Sequence, residues 1–174
     1  MGLVLFEITT IVILIIGLWI CYKYIMLTIS KHNADKSFCN FKENLNSEYN
    51  NIKDFFMLSK LYVNNNQDII PITIDLIVKA SSFTIEKDGN ERIIGFANAI
   101  FNNTNKVYKE VDLLENKPEN LSIAIKTFEK SKDKFNKQKE IYNNHAKILK
   151  KYVDTFPTSL IARLKRITTM DFMN

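Results

Sequence analysis

Asp68-Ile69-Ile70-Pro71-Ile72-Thr73-Ile74-Asp75-Leu76-Ile77-Val78-Lys79-Ala80-Ser81 is the stretch on which the fold class turns. Ile72, Ile74, Leu76 and Val78 alternate with Thr73, Asp75, Ile77 and Lys79, and Asp88-Gly89 follows as a candidate tight turn. Period-two alternation ahead of a turn signal reads as a β-hairpin. The same residues also read as a helix. Asp68 then stands at the N-cap, and Pro71 falls in the first turn, where its missing N–H leaves no bond unmade. Ile70, Ile74, Ile77 and Ser81 would share the buried face. A lone hairpin among helices has no sheet to join, so the neighbours of this stretch decide it.

Those neighbours are helical by pattern. Phe38, Phe41, Leu45, Tyr49, Ile52, Phe55, Phe56, Tyr62 and Val63 recur mostly in steps of three and four, one apolar stripe that ends in the polar cluster Asn64-Asn65-Asn66. Ile93, Ala97, Ile100, Thr104, Val107, Val111 and Leu114 alternate steps of four and three, a bundle-type seam. The longest pattern runs Leu121, Ala124, Phe128, Ser131, Phe135, Gln138, Tyr142, His145, Leu149, Tyr152, Phe156, starting after Pro118 and stopped by Pro157. The quoted stretch is therefore assigned to a helix. The fold class is all-α, an antiparallel four-helix bundle with long helices.

Ahead of it the chain is almost wholly apolar from Leu3 to Ile29, interrupted by Glu7 and Lys23, with an uncharged core from Ile8 to Tyr22. About 20 apolar residues span a bilayer as a helix. Trp19, Tyr22 and Tyr24 gather at one end, as in an interfacial aromatic belt. A cleaved signal peptide fits poorly, for no basic region precedes the run and no small-residue cleavage site follows it. Phe6 stands where a myristoylation motif wants Ser or Thr. The division expected is a transmembrane anchor at 1–30, a juxtamembrane linker at 31–40 and a helical domain at 41–174. Residues 3–29 would meet the lipid bilayer. Lys23, Lys31 and Lys36 follow the span and no Lys or Arg precedes it, so the C-terminal domain is expected in the cytoplasm.

The chain's 174 residues include 24 Lys and Arg, 19 Asp and Glu, 4 Gly, 3 Pro and 2 Cys. Scarce Gly and Pro disfavour turn-rich barrels, and Cys21 with Cys39 makes neither a disulfide framework nor a four-thiolate zinc site. No Gly-rich phosphate loop or nucleophile elbow occurs. Neither His32 nor His145 has a Glu three residues before it, as di-iron bundles require. His145 reads as a hydrogen-bonded core histidine. No catalytic residue, metal or cofactor is expected. The basic tract from Lys126 to Lys151 is interleaved by Glu129, Asp133 and Glu140 and reads as a solvated helix face, with no nucleic acid partner expected. Arg163, Lys165 and Arg166 form a tighter cluster suited to lipid headgroups or a partner.

A family pattern emerges at the C-terminal end. Tyr142-Asn143, the run through Lys151-Tyr152, then Phe156-Pro157 and Leu160-Ile161-Ala162 resemble the closing signature of the LemA family. Tyr49-Asn50 and Asp68-Ile69-Ile70-Pro71 look like that family's Tyr-Asn and Asp-Leu-Ile-Pro elements, in the same order. The departures are Asn65 and Asn66 for a basic pair, Tyr152-Val153 for a second Tyr-Asn, and Lys165-Arg166-Ile167 where Gly-Phe is expected. The resemblance implies a bacterial inner-membrane protein with a single-pass anchor and a helical domain. It settles the quoted stretch as helix and hands over no reaction. The motif residues read structurally: Pro71 starts a helix, each Tyr-Asn puts a ring in the core and an amide near the surface, and Phe156 folds back on the bundle.

The expected function is a non-enzymatic scaffold or adaptor with an unidentified protein partner. Self-association into a homo-oligomer is left open. The alternative is membrane-surface organisation through the basic C-terminal third.

Overall fold

The computed structural model describes residues 2–170, 172 and 173, with the side chains of residues 2–5 and 86 excepted. Met1, the side chains of Leu3, Val4 and Leu5 in the expected anchor, and Asp171 and Asn174 at the end of the expected domain lie outside the described residues. Among the described residues there are five helices and no strand: α1 Gly2–Ser59, α2 Ile69–Ser81, α3 Ile85–Asp112, α4 Glu119–Asp154 and α5 Thr158–Leu164. The chain is all-α. Residues 31–40 lie inside α1. The molecule divides into two compact units, Met1–Lys36 with Asn144–Met170, and Ser37–Asn143 with Asp171–Asn174.

In the second unit, α1 and α4 run antiparallel through a row of aromatic pairs. Phe38 meets Tyr142 with centroids 5.4 Å apart, Phe41 meets Phe135 at 5.7 Å, and Phe55 stacks on Phe128 at 5.2 Å. From α3, Phe101 stacks on Phe135 at 3.9 Å, and α2 packs on α3. Phe38, Phe41, Leu45, Tyr49, Ile52, Phe55 and Phe56 of the first stripe are all buried, as are Ile93, Ala97, Ile100, Thr104, Val107 and Val111 of the second. Each buried Phe, Leu, Ile or Val among them contributes roughly 1.5–3 kcal/mol through removal of apolar surface from water. In the first unit, Leu27 and Ala34 of α1 form one buried cluster with Leu149 of α4 and Ala162 of α5.

Several local expectations are revised. α1 ends at Ser59 rather than at the Asn cluster, because the Tyr62 N–H turns back to the Ser59 carbonyl at 2.8 Å. Asp68 occupies the N-cap of α2 without capping through its side chain. Its backbone is already helical (φ −67, ψ −22), whereas a side-chain cap needs an extended residue. The first free N–H groups, of Ile69 and Ile70, go instead to the carbonyls of Asn66 and Gln67. The buried face of α2 is Ile70, Thr73, Ile77 and Ala80, with Ile74 half-buried and Ser81 exposed. Thr73 can enter the core because its hydroxyl donates to the Ile69 carbonyl at 2.7 Å.

Asp88-Gly89 makes a kink rather than a hairpin turn. Gly89 has φ 69 and ψ 165, a conformation nearly restricted to glycine, inside α3. Asp88 accepts the Thr84 N–H at 2.9 Å and pairs with Arg92 at 2.9 Å, so it closes a helix start. Phe156 does not fold back. It is 68% exposed, and Pro157 and Thr158 are the residues buried at this corner. The Thr158 hydroxyl sits against the Thr155 carbonyl at 2.6 Å and the Tyr152 carbonyl, closing the open end of α4.

Candidate functional site

α1 is long and apolar enough to cross a membrane. From Phe6 to Ile25 its large apolar side chains are exposed on every side of the helix, a stretch of roughly 30 Å at 1.5 Å per residue. Lys23 lies 6.0 Å from the Trp19 ring centroid. The Thr10 hydroxyl donates to the Phe6 carbonyl at 2.9 Å, so this hydroxyl is satisfied within the helix. Packing against protein begins at Leu27, which is fully buried.

Arg163, Lys165 and Arg166 are exposed at the end of α5. The local backbone explains their placement. The Arg166 N–H bonds the Arg163 carbonyl at 3.2 Å and the Ile167 N–H bonds the Ala162 carbonyl at 2.9 Å. This pair of bonds is the Schellman closure of a helix, and it puts Arg166 in the left-handed region at φ 54. Ile167 returns to the cluster that holds Ala162.

The second unit holds a polar layer that pattern reading missed. Glu48, 4% exposed, accepts from Lys134 Nζ at 2.7 Å, and Asn51 Nδ2 lies 3.4 Å from its other oxygen and donates to Ser131 Oγ at 2.9 Å. Glu48 precedes Tyr49 on the edge of the α1 stripe, and a position three after Leu45 was the available signal. Lys132 is likewise engaged, donating to Asn105 at 2.9 Å. Two lysines of the basic tract thus serve the fold. Nearby, the Tyr108 hydroxyl donates to Glu129 at 2.7 Å; that bond, then burial, pushes Tyr108 up to about 12.

The Asp68–Pro71 element lines a groove of about 410 Å³ together with Phe56, Met57, Lys60 and Ile74. Met57 and the neighbouring Leu61 are strongly exposed. Next to it the 64–66 loop is held by Glu110, which accepts the Asn64 and Asn65 N–H groups at 2.7 and 2.8 Å and the Asn66 amide at 2.7 Å. These donors, the Asn65 N–H foremost, hold the Glu110 carboxyl below its ordinary range.

The remaining motif residues are distributed through the chain. Tyr49 is buried with Asn50 on the surface, and burial pushes the Tyr49 hydroxyl up. Tyr142 is buried, while Asn143 exchanges two hydrogen bonds with the Met173 main chain at 2.8 and 2.9 Å. Tyr152 and His145 are half-buried. Cys21 and Cys39 are free and exposed. Among the described residues no three His, Cys, Asp or Glu side chains gather into a metal-binding group. Of the sequence-derived residues, Arg163, Lys165 and Arg166 lie together at the end of α5, and Asp68 and Pro71 share the groove beside Phe56 and Met57. The chain matches no protein-family model, no curated protein and no solved structure.

Proposed function

We propose that this chain is a single-pass, membrane-anchored helical protein that acts as a non-enzymatic scaffold or adaptor, a divergent relative of the LemA proteins. The observation that carries the reading is α1 itself. One helix bears 20-odd residues of all-round exposed apolar surface and then, from Phe38 onward, the buried stripe of the helical domain. Such an exposed surface is stable in lipid and costly in water. Lys31 and Lys36 beyond the span favour a cytoplasmic domain. The groove beside Asp68 and Pro71, with Met57 exposed at its edge, suits an apolar segment of a protein partner.

The test uses the full chain in its native membrane with a photocrosslinking residue in place of Met57. A single discrete adduct of constant mass, lost in Ile74→Arg, supports the adaptor reading; no adduct above the level given by the same probe at Lys130 overturns it. A reporter fused at the C-terminus is expected to be active only in the cytoplasm, and activity confined to the other side would reverse the orientation.

A further inference from the structure

α5 has an unusual outward face. Thr158 and Ala162 are buried, with Ile161 packed beside them. The opposite side of so short a surface helix should be polar. Here it carries Leu160, 52% exposed, and Leu164, 84% exposed, one turn apart, and Phe156, in the turn that leads into α5, is 68% exposed. The same segment is strongly basic. No acidic residue occurs between Thr155 and Met170, which include Arg163, Lys165 and Arg166.

The position of α5 along α1 gives this combination a meaning. Ala162 is held in the cluster of Leu27, and Leu27 lies between Ile25, where the all-round exposed apolar run of α1 ends, and Ile29, which is still exposed on one side. Two residues of helix advance about 3 Å, while the headgroup layer adds about 5–7 Å on each side of the hydrocarbon. The attachment point of α5 therefore falls at headgroup depth if α1 spans. At that depth apolar side chains reach the acyl boundary and basic ones reach lipid phosphates.

We propose that α5 is a membrane-interface helix: its Leu160 and Leu164, with Phe156 of the turn before it, enter the same bilayer that α1 crosses while Arg163, Lys165 and Arg166 bind its anionic headgroups. The proposal rests on the spanning reading of α1 and deepens it. It makes the bilayer a second ligand of the folded domain.

Trp19 is the chain's one tryptophan, which allows a direct test. The full chain is reconstituted into vesicles of phosphatidylcholine and phosphatidylglycerol whose acyl chains carry bromine near the headgroup. Trp19→Phe combined with Leu160→Trp should be quenched strongly, and the same protein in vesicles without bromine should serve as the unquenched reference. Adding Arg163→Gln, Lys165→Gln and Arg166→Gln to that variant should lower its quenching at least about twofold. No quenching at position 160 beyond that reference overturns the proposal, while quenched Trp19 keeps the span. Unquenched Trp19 in the unaltered chain overturns both. Quenching at 160 that ignores the triple substitution overturns the headgroup contact. Circular dichroism of each variant checks that the helices are intact.

Discussion

The front and back of α1 are one continuous helix, yet they treat apolar side chains in opposite ways. Between Phe6 and Ile25 such residues point to all sides and stay exposed; from Phe38 to Phe56 the large ones occupy one stripe, and all of it is covered by protein. Glu43, Asn50 and Asp54 take the outer side of the back half. Backbone hydrogen bonding is the same in both. What differs is the medium each surface is built for, since a helix apolar all round suits lipid and a striped one suits a protein core.

The comparison breaks most readily in the back half. Phe128→Ala removes a fully buried ring stacked on Phe55 and should cost about 3–5 kcal/mol, read as a lower unfolding midpoint of the full chain in detergent. Ile13→Ala, in the front half, should leave that midpoint unchanged. Ile15→Arg makes the converse demand. It should disfavour membrane insertion by about 2.5–3.5 kcal/mol, measured as the membrane-integrated fraction after translation with membranes, without altering the unfolding midpoint of protein that has folded.

Smaller effects sharpen the contrast. Lys134→Ala leaves Glu48 buried with Asn51 as its remaining contact and should destabilise by about 1–2 kcal/mol, less than a fully buried pair because Lys134 is half exposed. Glu48→Leu combined with it should recover most of the loss in the same unfolding measurement. Arg166→Gly should stabilise by about 1 kcal/mol, since glycine enters the left-handed region without the Cβ penalty that Arg166 bears at φ 54; Arg166→Ala should give no gain. The smallest effect is Glu110. Its carboxyl titrates below the ordinary value of 4.5, so its support of the 64–66 loop is fully present above that pH and is lost as pH falls through the lowered folded value. The Asn64 and Asn65 amide resonances should shift across that acid range and should not do so in Glu110→Gln. Ile8 to Tyr22 holds no carboxylate, so no matching change is expected there.

Reading by period succeeded where neighbours along the helix set the outcome. The α1 and α3 stripes and α4 as far as Leu149 are buried nearly position for position. It slipped where a side chain's own hydrogen bond changed its cost. Thr73 reads as polar but is satisfied by Ile69, so the α2 face turned away from Ser81. Asp68 carried a cap signal that depended on a backbone angle no composition reveals. Asp88-Gly89 announced a reversal, and the turn propensity was real, but Arg92, Phe83 and Phe96 gather around it, with Arg92 4.7 Å from the Phe83 ring, and draw it into α3.

By itself, then, the amino-acid sequence determined the helices and the stretch of α1 that is apolar on all sides, because both follow from side-chain character repeated at helical spacing. Only the tertiary structure decided that Glu48 is buried against Lys134, that Leu27 meets Ala162, and that Phe156, Leu160 and Leu164 look outward. Those outcomes depend on which residues lie across from one another in space, and pairing between distant segments leaves no periodic trace along the chain.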